Sequence, residues 1–247
     1  MSRAGLLAYL ALLGLLGVFL LTPQSFADLF RPFAPGDTAP IYRQTPLLTL
    51  TVNHLLLVAA ATLAASVLAI GFAVAATRPA GRDVLPFARA LANLGQTFPP
   101  VAVLALAVPI FGFGPVPTLV ALVLYGLLPI FETTLTGLES LDPALMEAAR
   151  GMGLTDRQRL IQVELPLALP MILSGIRLTT VIGLATATIG STVAASTLGE
   201  VIISGLLTGN TAYVLQGGFI VSALAILLDT GLRAIEHAAA QRSGFPS

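Results

Sequence analysis

The amino-acid sequence predicts an all-α membrane protein with about six transmembrane helices. Of its 247 residues, 56% are hydrophobic and 10% are charged, and the mean hydropathy is +0.92. So few polar side chains cannot cover the surface of a water-soluble domain. The apolar residues also form long stretches separated by short polar ones, which is the pattern of helices that cross a bilayer.

Six apolar stretches have the length that a helix needs to cross a hydrocarbon core of about 30 Å, which is roughly 20 residues. They are residues 4–21, 47–77, 85–111, 118–138, 167–195 and 212–235. In lipid, the backbone groups have to form their hydrogen bonds inside the segment, and a helix does so within one stretch. We therefore expect each stretch to be helical.

The first stretch and the loop that follows it, residues 1–46, have two interpretations. Ser25-Phe26-Ala27 stands before Asp28 and loosely resembles the cleavage site of a secretory signal peptide. An apolar run of 18 residues is longer than the usual core of such a peptide, which favours an uncleaved transmembrane helix followed by an outer loop. The five stretches that follow do not depend on which interpretation holds.

The arginines predict the orientation of the helices, because cationic loops stay on the cytoplasmic side. With the N-terminus inside, nine arginines fall on inner loops or ends and two on outer loops. The nine are Arg3, Arg78, Arg82, Arg89, Arg150, Arg157, Arg159, Arg233 and Arg242, and the two are Arg31 and Arg43. We therefore expect both termini and the segment 139–166 to be cytoplasmic.

Prolines interrupt several of the predicted helices. Pro99-Pro100 breaks the third stretch, and Pro129 and Pro170 are expected to kink the fourth and the fifth. Bent helices pack against one another in many membrane proteins, and they also occur where irregular backbone lines a pathway. Both interpretations stay open.

Residues 139–166, called here the polar loop, are predicted to begin with a short helix outside the membrane. Asp142-Pro143 is a helix start, because the aspartate accepts orphan N–H groups and proline needs no donor at the first position. Gly151 or Gly153 is expected to end this helix. Glu147 and Arg150, three residues apart, are spaced to form an ion pair.

A second short helix is predicted directly after the glycine corner. Thr155 and Gln158 form a capping box, in which each side chain accepts the backbone N–H of the other residue. We expect this helix to end near Leu165-Pro166, where the next transmembrane stretch begins.

The spacing of residues in the polar loop resembles a known signature. Glu147-Ala148-Ala149 is followed by Gly153 and then by Val163-Glu164-Leu165-Pro166. This resembles the EAA signature of the integral membrane permeases of ABC importers, with valine in place of the usual isoleucine. The resemblance implies a type I importer permease fold, with a five-helix core over residues 47–236, an additional N-terminal helix, and a short tail over residues 237–247.

In that family the loop forms coupling helices that dock in a groove on a cytoplasmic ATPase subunit. The resemblance therefore implies that the polar loop holds the docking residues, which are Glu147, Ala148, Ala149, Gly153, Val163, Leu165 and Pro166. It also implies a second permease subunit, identical or different, and a periplasmic or lipid-anchored substrate-binding protein. The location implied is the cytoplasmic or inner membrane of a bacterium or archaeon.

Further residues resemble the osmoprotectant branch of the family, which imports glycine betaine, choline, carnitine or proline betaine. Residues 122–130, LVLYGLLPI, followed by Thr134 and Gly137-Leu138, are similar to its LYxLLPI…T…GL pattern. The chain departs from that branch at Phe131-Glu132-Thr133, where a cationic residue and asparagine are usual, and at residues 194–199, where GxGGLG is usual. A permease for another small polar solute, such as an amino acid, is therefore the alternative within the family.

Candidate residues of a translocation pathway lie in the interrupted helices and among the polar side chains inside them. They are Gln96, Pro99, Pro100, Tyr125, Pro129, Thr134 and Arg177. Arg177 is placed to form a charge pair with Glu132 or Asp229 inside the bundle, although Asp229 is also spaced to pair with Arg233.

The composition excludes several other classes of protein. The chain has no cysteine and no lysine, so that it lacks thiolate metal ligands and the lysine with which a P-loop holds ATP. We expect no metal, no cofactor and no enzymatic activity, and ATP is then hydrolysed by a separate chain. The HExxH and GxSxG motifs of hydrolytic enzymes are absent, and a net charge of zero gives no reason to expect nucleic acid.

An ion-coupled secondary transporter is the alternative from another class. Such a protein needs titratable or charged groups inside the membrane, and Glu132, Arg177 and Asp229 are the candidates. This alternative leaves the signature in the polar loop unexplained.

Overall fold

The computed structural model describes residues 3–78, 81, 83 and 85–242. Arg82 and residues 243–247 of the predicted tail lie outside the described residues. The described part of the chain is helical or irregular and contains no strand. The prediction of an all-α protein is confirmed.

The helices are labelled in chain order. They are α1 (Arg3–Leu21), α2 (Leu47–Ala76), α3 (Leu85–Thr97), α4 (Pro100–Phe111), α5 (Pro115–Glu139), α6 (Pro143–Gly151), α7 (Asp156–Arg159), α8 (Leu165–Ala187), α9 (Gly199–Thr208) and α10 (Thr211–Arg242). Shorter helical turns lie at Pro23–Phe26, Ala27–Phe30, Arg31–Phe33 and Thr188–Val193.

Five segments of the described chain are long and apolar enough to cross a membrane. They are Arg3–Leu21, Leu47–Ala76, Pro115–Glu139, Asp156–Val193 and Thr211–Gln241. α3 and α4 form a sixth when they are counted as one broken span. The break falls at Phe98 and Pro99, as predicted, because Pro99 and Pro100 have no backbone N–H to continue the helix. Pro129 and Pro170 lie inside α5 and α8, which continue past them.

The fifth segment begins earlier than predicted. A π-helical turn over Leu160–Glu164 joins α7 to α8, so that the helical segment is continuous from Asp156 to Val193. In this turn the Leu165 N–H donates to the Leu160 carbonyl, five residues back. The predicted end of the second loop helix near Leu165-Pro166 is therefore wrong, because the wider turn lets the helix pass a proline that has no N–H.

The chain divides into two compact units. The first comprises Met1–Ala61, Pro99–Leu122 and Thr180–Asp229, and the second comprises Thr62–Phe98, Val123–Thr179 and Thr230–Ser247. In the first unit, the ring of Phe19 on α1 lies 5.2 Å from that of Phe26, 5.6 Å from that of Phe30 and 5.7 Å from that of Phe219, measured between centroids. These aromatic contacts fix α1 to α10 within that unit.

The second unit is packed through small side chains. Its core consists of Ala65, Ala69 and Ala73 of α2, Ala88 and Ala92 of α3, and Leu127, Ile130, Phe131 and Leu135 of α5. In lipid, small residues let helices approach closely, because dispersion contacts replace the hydrophobic drive. At Gly95 the approach is so close that an added Cβ would lie 2.0 Å from the Leu124 carbonyl oxygen.

α9 is a short apolar helix of 10 residues that the sequence analysis missed. It is too short to cross a membrane, and a search for membrane-length stretches therefore passes over it. The Thr197 hydroxyl organises its start, because it donates to the Ala187 carbonyl at 3.1 Å and accepts the Gly199 N–H at 3.2 Å. Ala194, just before it, has a φ of +64°, at a position where the osmoprotectant pattern has glycine.

Candidate functional site

The first helix of the polar loop, α6, has the start that the sequence predicts. The Asp142 carboxylate accepts the Ala144 N–H at 2.8 Å, and Pro143 occupies the first helical position. Arg150 lies in the last turn, where a cation interacts favourably with the helix dipole. α6 is thus capped at its N-terminus by its own sequence.

The corner after α6 is a Schellman motif built around Gly153. The Gly153 N–H donates to the Arg150 carbonyl at 2.9 Å, and the Leu154 N–H donates to the Ala149 carbonyl at 3.2 Å. Gly153 has a φ of +82°, in the left-handed region that favours glycine. The backbone conformation is therefore what requires glycine here. Crowding is not the reason, because no atom lies within 4 Å of where a Cβ would be.

The capping box that begins α7 is present. The Thr155 hydroxyl accepts the Gln158 N–H at 3.3 Å, and the Gln158 side-chain oxygen accepts the Thr155 N–H at 2.9 Å. Two orphan N–H groups are satisfied in this way. The prediction of a helix, a glycine corner and a second helix start is confirmed.

α6 turns one side inward and exposes the other. Ala149 is 1% exposed, whereas Glu147 and Ala148 are exposed and Met152 is 75% exposed. Within the described residues, no ion pair joins Glu147 to Arg150, contrary to the spacing argument. The exposed side chains of Glu147 and Arg150 are therefore not joined to each other.

The end of the polar loop contributes to a cluster of charged side chains that the sequence analysis missed. The Glu164 carboxylate accepts a bond from Arg159 Nε at 2.8 Å and a short bond from Arg78 Nη2. Their side chains are largely buried, with exposed fractions of 9% for Glu164, 10% for Arg159 and 27% for Arg78. Arg159 also contacts the exposed Asp156 carboxylate at 2.9 Å. The sequence shows these charged residues, but their spacing does not indicate that Arg78 meets Glu164.

Two of the predicted pathway residues lie together before the break in the third span. The Gln96 amide donates to the Tyr125 carbonyl at 3.0 Å, and the Tyr125 hydroxyl donates to the Phe98 carbonyl. Gln96 also belongs to a row of polar residues along α3, called here the polar stripe. This stripe consists of Arg89, Asn93, Gln96 and Thr97. The side chains of this stripe are exposed on the single chain.

The other predicted pathway residues do not join that stripe. Thr134 is fully buried on α5. The Pro129 carbonyl accepts a hydrogen bond from the Thr133 hydroxyl at 2.8 Å. Arg177 donates to the Glu236 carboxylate at 2.8 Å. Glu132 is held by Arg89 rather than by Arg177, so the Arg177–Glu132 pair, one of the pairings that the sequence left open, does not form.

In the first unit, a second polar cluster fastens the segment that precedes α2. The hydroxyls of Tyr42 and Thr45 both donate to the Glu200 carboxylate at 2.7 Å. The Gln216 amide donates to the Pro40 carbonyl at 2.7 Å and accepts the Tyr42 N–H at 3.2 Å. Burial raises the pKa of the Tyr42 hydroxyl above its usual value, and Glu200 raises it further, so that this hydroxyl keeps its proton and donates.

Several candidate membrane spans, one of them broken beside polar side chains, and a capped helix between two spans are the features of a multi-pass membrane protein. A family described as the binding-protein-dependent transport system inner membrane component matches residues 65–241, and the chain belongs to this family. It is accordingly a transport component of an inner membrane, as the signature in the polar loop predicts.

Two relatives resemble most of the chain. The osmoprotectant import permease protein OsmY of Salmonella typhimurium is 42% identical over 188 residues, which are 76% of this chain and 80% of that protein. The glycine betaine/carnitine/choline transport system permease protein OpuCB of Bacillus subtilis is 35% identical over 193 residues, which are 77% of this chain and 87% of that protein.

A solved structure has the same fold. The inward-facing MetNI methionine ABC transporter contains a chain that matches with a TM-score of 0.70 and 22% identity, covering 78% of this chain and 95% of that one. The predicted type I importer permease fold is confirmed.

Proposed function

We propose that this chain is the permease subunit of an ATP-driven importer for a quaternary-ammonium osmoprotectant such as glycine betaine, choline, carnitine or proline betaine. The names of the two relatives support this substrate class. The observation that carries the mechanism is the geometry of the polar loop, in which the exposed helix α6 is held at a fixed angle by the Gly153 corner.

The polar loop is the docking site for a separate ATPase subunit. Glu147, Ala148 and Met152 form an exposed surface, on which the small side chain of Ala148 leaves room for close approach. The Glu147 carboxylate offers a contact to an arginine or a helix N-terminus of the ATPase. Gly153 sets the corner, and Ala149 is buried beneath this surface, so that it supports the surface and does not contact the partner. The exposed Pro166 and the half-buried Val163 and Leu165 remain docking residues in this proposal.

The orientation of the chain in the membrane follows from the proposed docking of an ATPase on the polar loop. An ATPase that uses cellular ATP acts from the cytoplasm, so the polar loop and both termini are cytoplasmic. The distribution of arginines supports this orientation.

The translocation pathway runs past the broken span and is completed by a second permease subunit. The polar stripe of α3 cannot face hydrocarbon, because charged and amide side chains are costly there. Gln96 and Tyr125 fix the backbone at the break. With no tryptophan and only four tyrosines in the chain, an aromatic cage for a quaternary ammonium ion belongs to a separate substrate-binding protein.

Transport by the reconstituted complex tests this proposal. Proteoliposomes that contain the permease, its ATPase and its binding protein are expected to accumulate radiolabelled glycine betaine or choline only when ATP is supplied. Glu147→Trp is expected to abolish uptake with an unchanged amount of permease, whereas Leu207→Trp, at an 82% exposed position of α9, is the matched control and retains uptake.

Three outcomes would contradict the proposal. Uptake that follows an ion gradient without ATP would favour a secondary transporter. Uptake of amino acids in place of the osmoprotectants would change the substrate class. Normal uptake by Glu147→Trp would exclude the polar loop as the docking site.

A further inference from the structure

The Glu164 carboxylate connects three segments of the second unit. It lies in the π-helical turn between α7 and α8, and it accepts a hydrogen bond from Arg159 Nε at 2.8 Å. It also accepts hydrogen bonds from both terminal nitrogens of Arg78, which follows the end of α2. With 9% of its side chain exposed, it is largely removed from water. Charge-assisted bonds of this kind are short and directional, so they hold the connected segments at a fixed separation.

The π-helical turn is what allows Arg159 to face Glu164. In an α-helix, residues five positions apart point about 140° away from each other around the axis, so that their side chains cannot meet. A turn with bonds between residues five apart brings them to the same side. This interruption of the regular helix therefore has a specific result, which is the Arg159–Glu164 contact.

Arg78 is itself fixed to the end of α2. Its Nε donates to the Val74 carbonyl at 3.3 Å and its Nη2 donates to the Thr77 hydroxyl at 3.3 Å. The Thr77 hydroxyl in turn donates to the Val74 carbonyl at 2.8 Å. A guanidinium held in this way cannot follow Glu164 by rotating alone, so a displacement of Glu164 is resisted by α2.

Apolar packing also joins the end of the polar loop to α2, through Leu165 and Val74. One layer deeper, Leu138, Ala168 and Ile172 form a buried cluster against Val74. Beside the charged cluster, however, lies a cavity of about 410 Å³ whose lining includes Met146 and Arg150 of α6. Beside this cavity, the contacts of Glu164 with Arg159 and Arg78 connect the polar loop to the end of α2.

We propose that Glu164 is the positioning residue that couples the polar loop to α2, so that movement of the loop on its ATPase is passed to this helix through Arg159 and Arg78. This inference rests on the proposed function of the polar loop. It assigns a role to a side chain that is only 9% exposed.

The test compares ATP hydrolysis with solute uptake in proteoliposomes that hold the complete importer. Glu164→Gln keeps the size of the side chain and removes its charge. The number of ATP molecules hydrolysed per solute imported is expected to rise about tenfold, the factor for losing one charge-assisted hydrogen bond. Arg78→Gln is expected to raise the ratio similarly, and it gives an independent result if Glu164→Gln is not recovered in the membrane.

Asp156→Asn is the matched control, because Asp156 also contacts Arg159 but its side chain is 87% exposed. Its ratio is expected to stay within about twofold of the unmodified importer, as for an exposed ion pair. A proportional fall of hydrolysis and uptake in Glu164→Gln and Arg78→Gln, with the ratio unchanged, would overturn the inference and indicate a structural role. Absence of ATP-dependent uptake in the unmodified importer would instead contradict the proposed function.

Discussion

The guanidinium of Arg89 on α3 holds the carboxylate of Glu132 on α5 through two bonds, Nε to Oε1 at 2.7 Å and Nη2 to Oε2 at 3.2 Å. The two side chains remain 47% and 37% exposed. Charged groups this exposed cannot face hydrocarbon, and the pair therefore marks a side of the second unit that faces water or another subunit. This is the same side of α3 that carries the polar stripe.

A double-mutant cycle at Arg89 and Glu132 tests whether this ion pair is in contact with water. Arg89→Gln and Glu132→Gln are each expected to lower the free energy of unfolding in detergent, and the pair is expected to show a coupling energy of about 0.5–1 kcal/mol, as for ion pairs in contact with water. Strictly additive effects would contradict a direct interaction, and a coupling of several kcal/mol would indicate a dry environment.

The corner at Gly153 is expected to tolerate no side chain without strain. Gly153→Ala should destabilise the corner by about 1–2 kcal/mol, because alanine is disfavoured in the left-handed region. Gly151→Ala is the control, since its Cβ also meets no atom and its φ is not positive. Uptake by both variants is measured at equal amounts of protein, and an equal loss in the two would refute a conformational cause.

The approach of α3 to α5 at Gly95 is expected to exclude even a methyl group. Gly95→Ala places its Cβ 2.0 Å from the Leu124 carbonyl oxygen, and overpacking of this kind costs about 1–3 kcal/mol or more. Gly71→Ala, on α2, meets nothing within 4 Å and is expected to be neutral or slightly stabilising. The thermal unfolding midpoint in detergent should fall for the first variant alone.

The segment before α2 is expected to loosen when one hydroxyl is removed. Tyr42→Phe keeps the edge-to-face contact with the Tyr213 ring at 5.4 Å and removes the bond to Glu200. The expected loss is about 1–2 kcal/mol of local stability, measured as faster proteolysis within residues 31–46. Tyr9→Phe, on α1, is the control. Equal cleavage rates for the two variants would contradict a role for the Tyr42–Glu200 bond.

The local chemistry of the polar loop could be predicted from the sequence, because each contact joins neighbours in the chain. Asp142 caps α6 two residues on, and Thr155 and Gln158 cap α7 within three. Gly153 adopts the positive φ that a helix end requires. The five long spans of the described chain, and the broken span formed by α3 and α4, follow from the length of the apolar stretches.

The partners of the charged side chains on the helices could not be predicted, because they are distant in the chain. Glu132 meets Arg89, 43 residues away, and Arg177 meets Glu236, 59 residues away. Spacing arguments reach only three or four residues along a helix. The contact of Glu164 with Arg78 spans 86 residues and depends on the packing of α2, which no local pattern reveals.

Labelling of a single introduced cysteine tests the central claim that the polar loop is a cytoplasmic docking site for an ATPase. The chain has no cysteine of its own, so Met152→Cys, at a 75% exposed position beside the Gly153 corner, is the unique target for a membrane-impermeant maleimide. We expect it to be labelled in inside-out vesicles, to be protected when the ATPase is bound, and not to be labelled from outside. Leu207→Cys, at an 82% exposed position of α9, should be unaffected by the ATPase. Labelling of Met152→Cys from the outside, or equal labelling with and without the ATPase, would contradict the account.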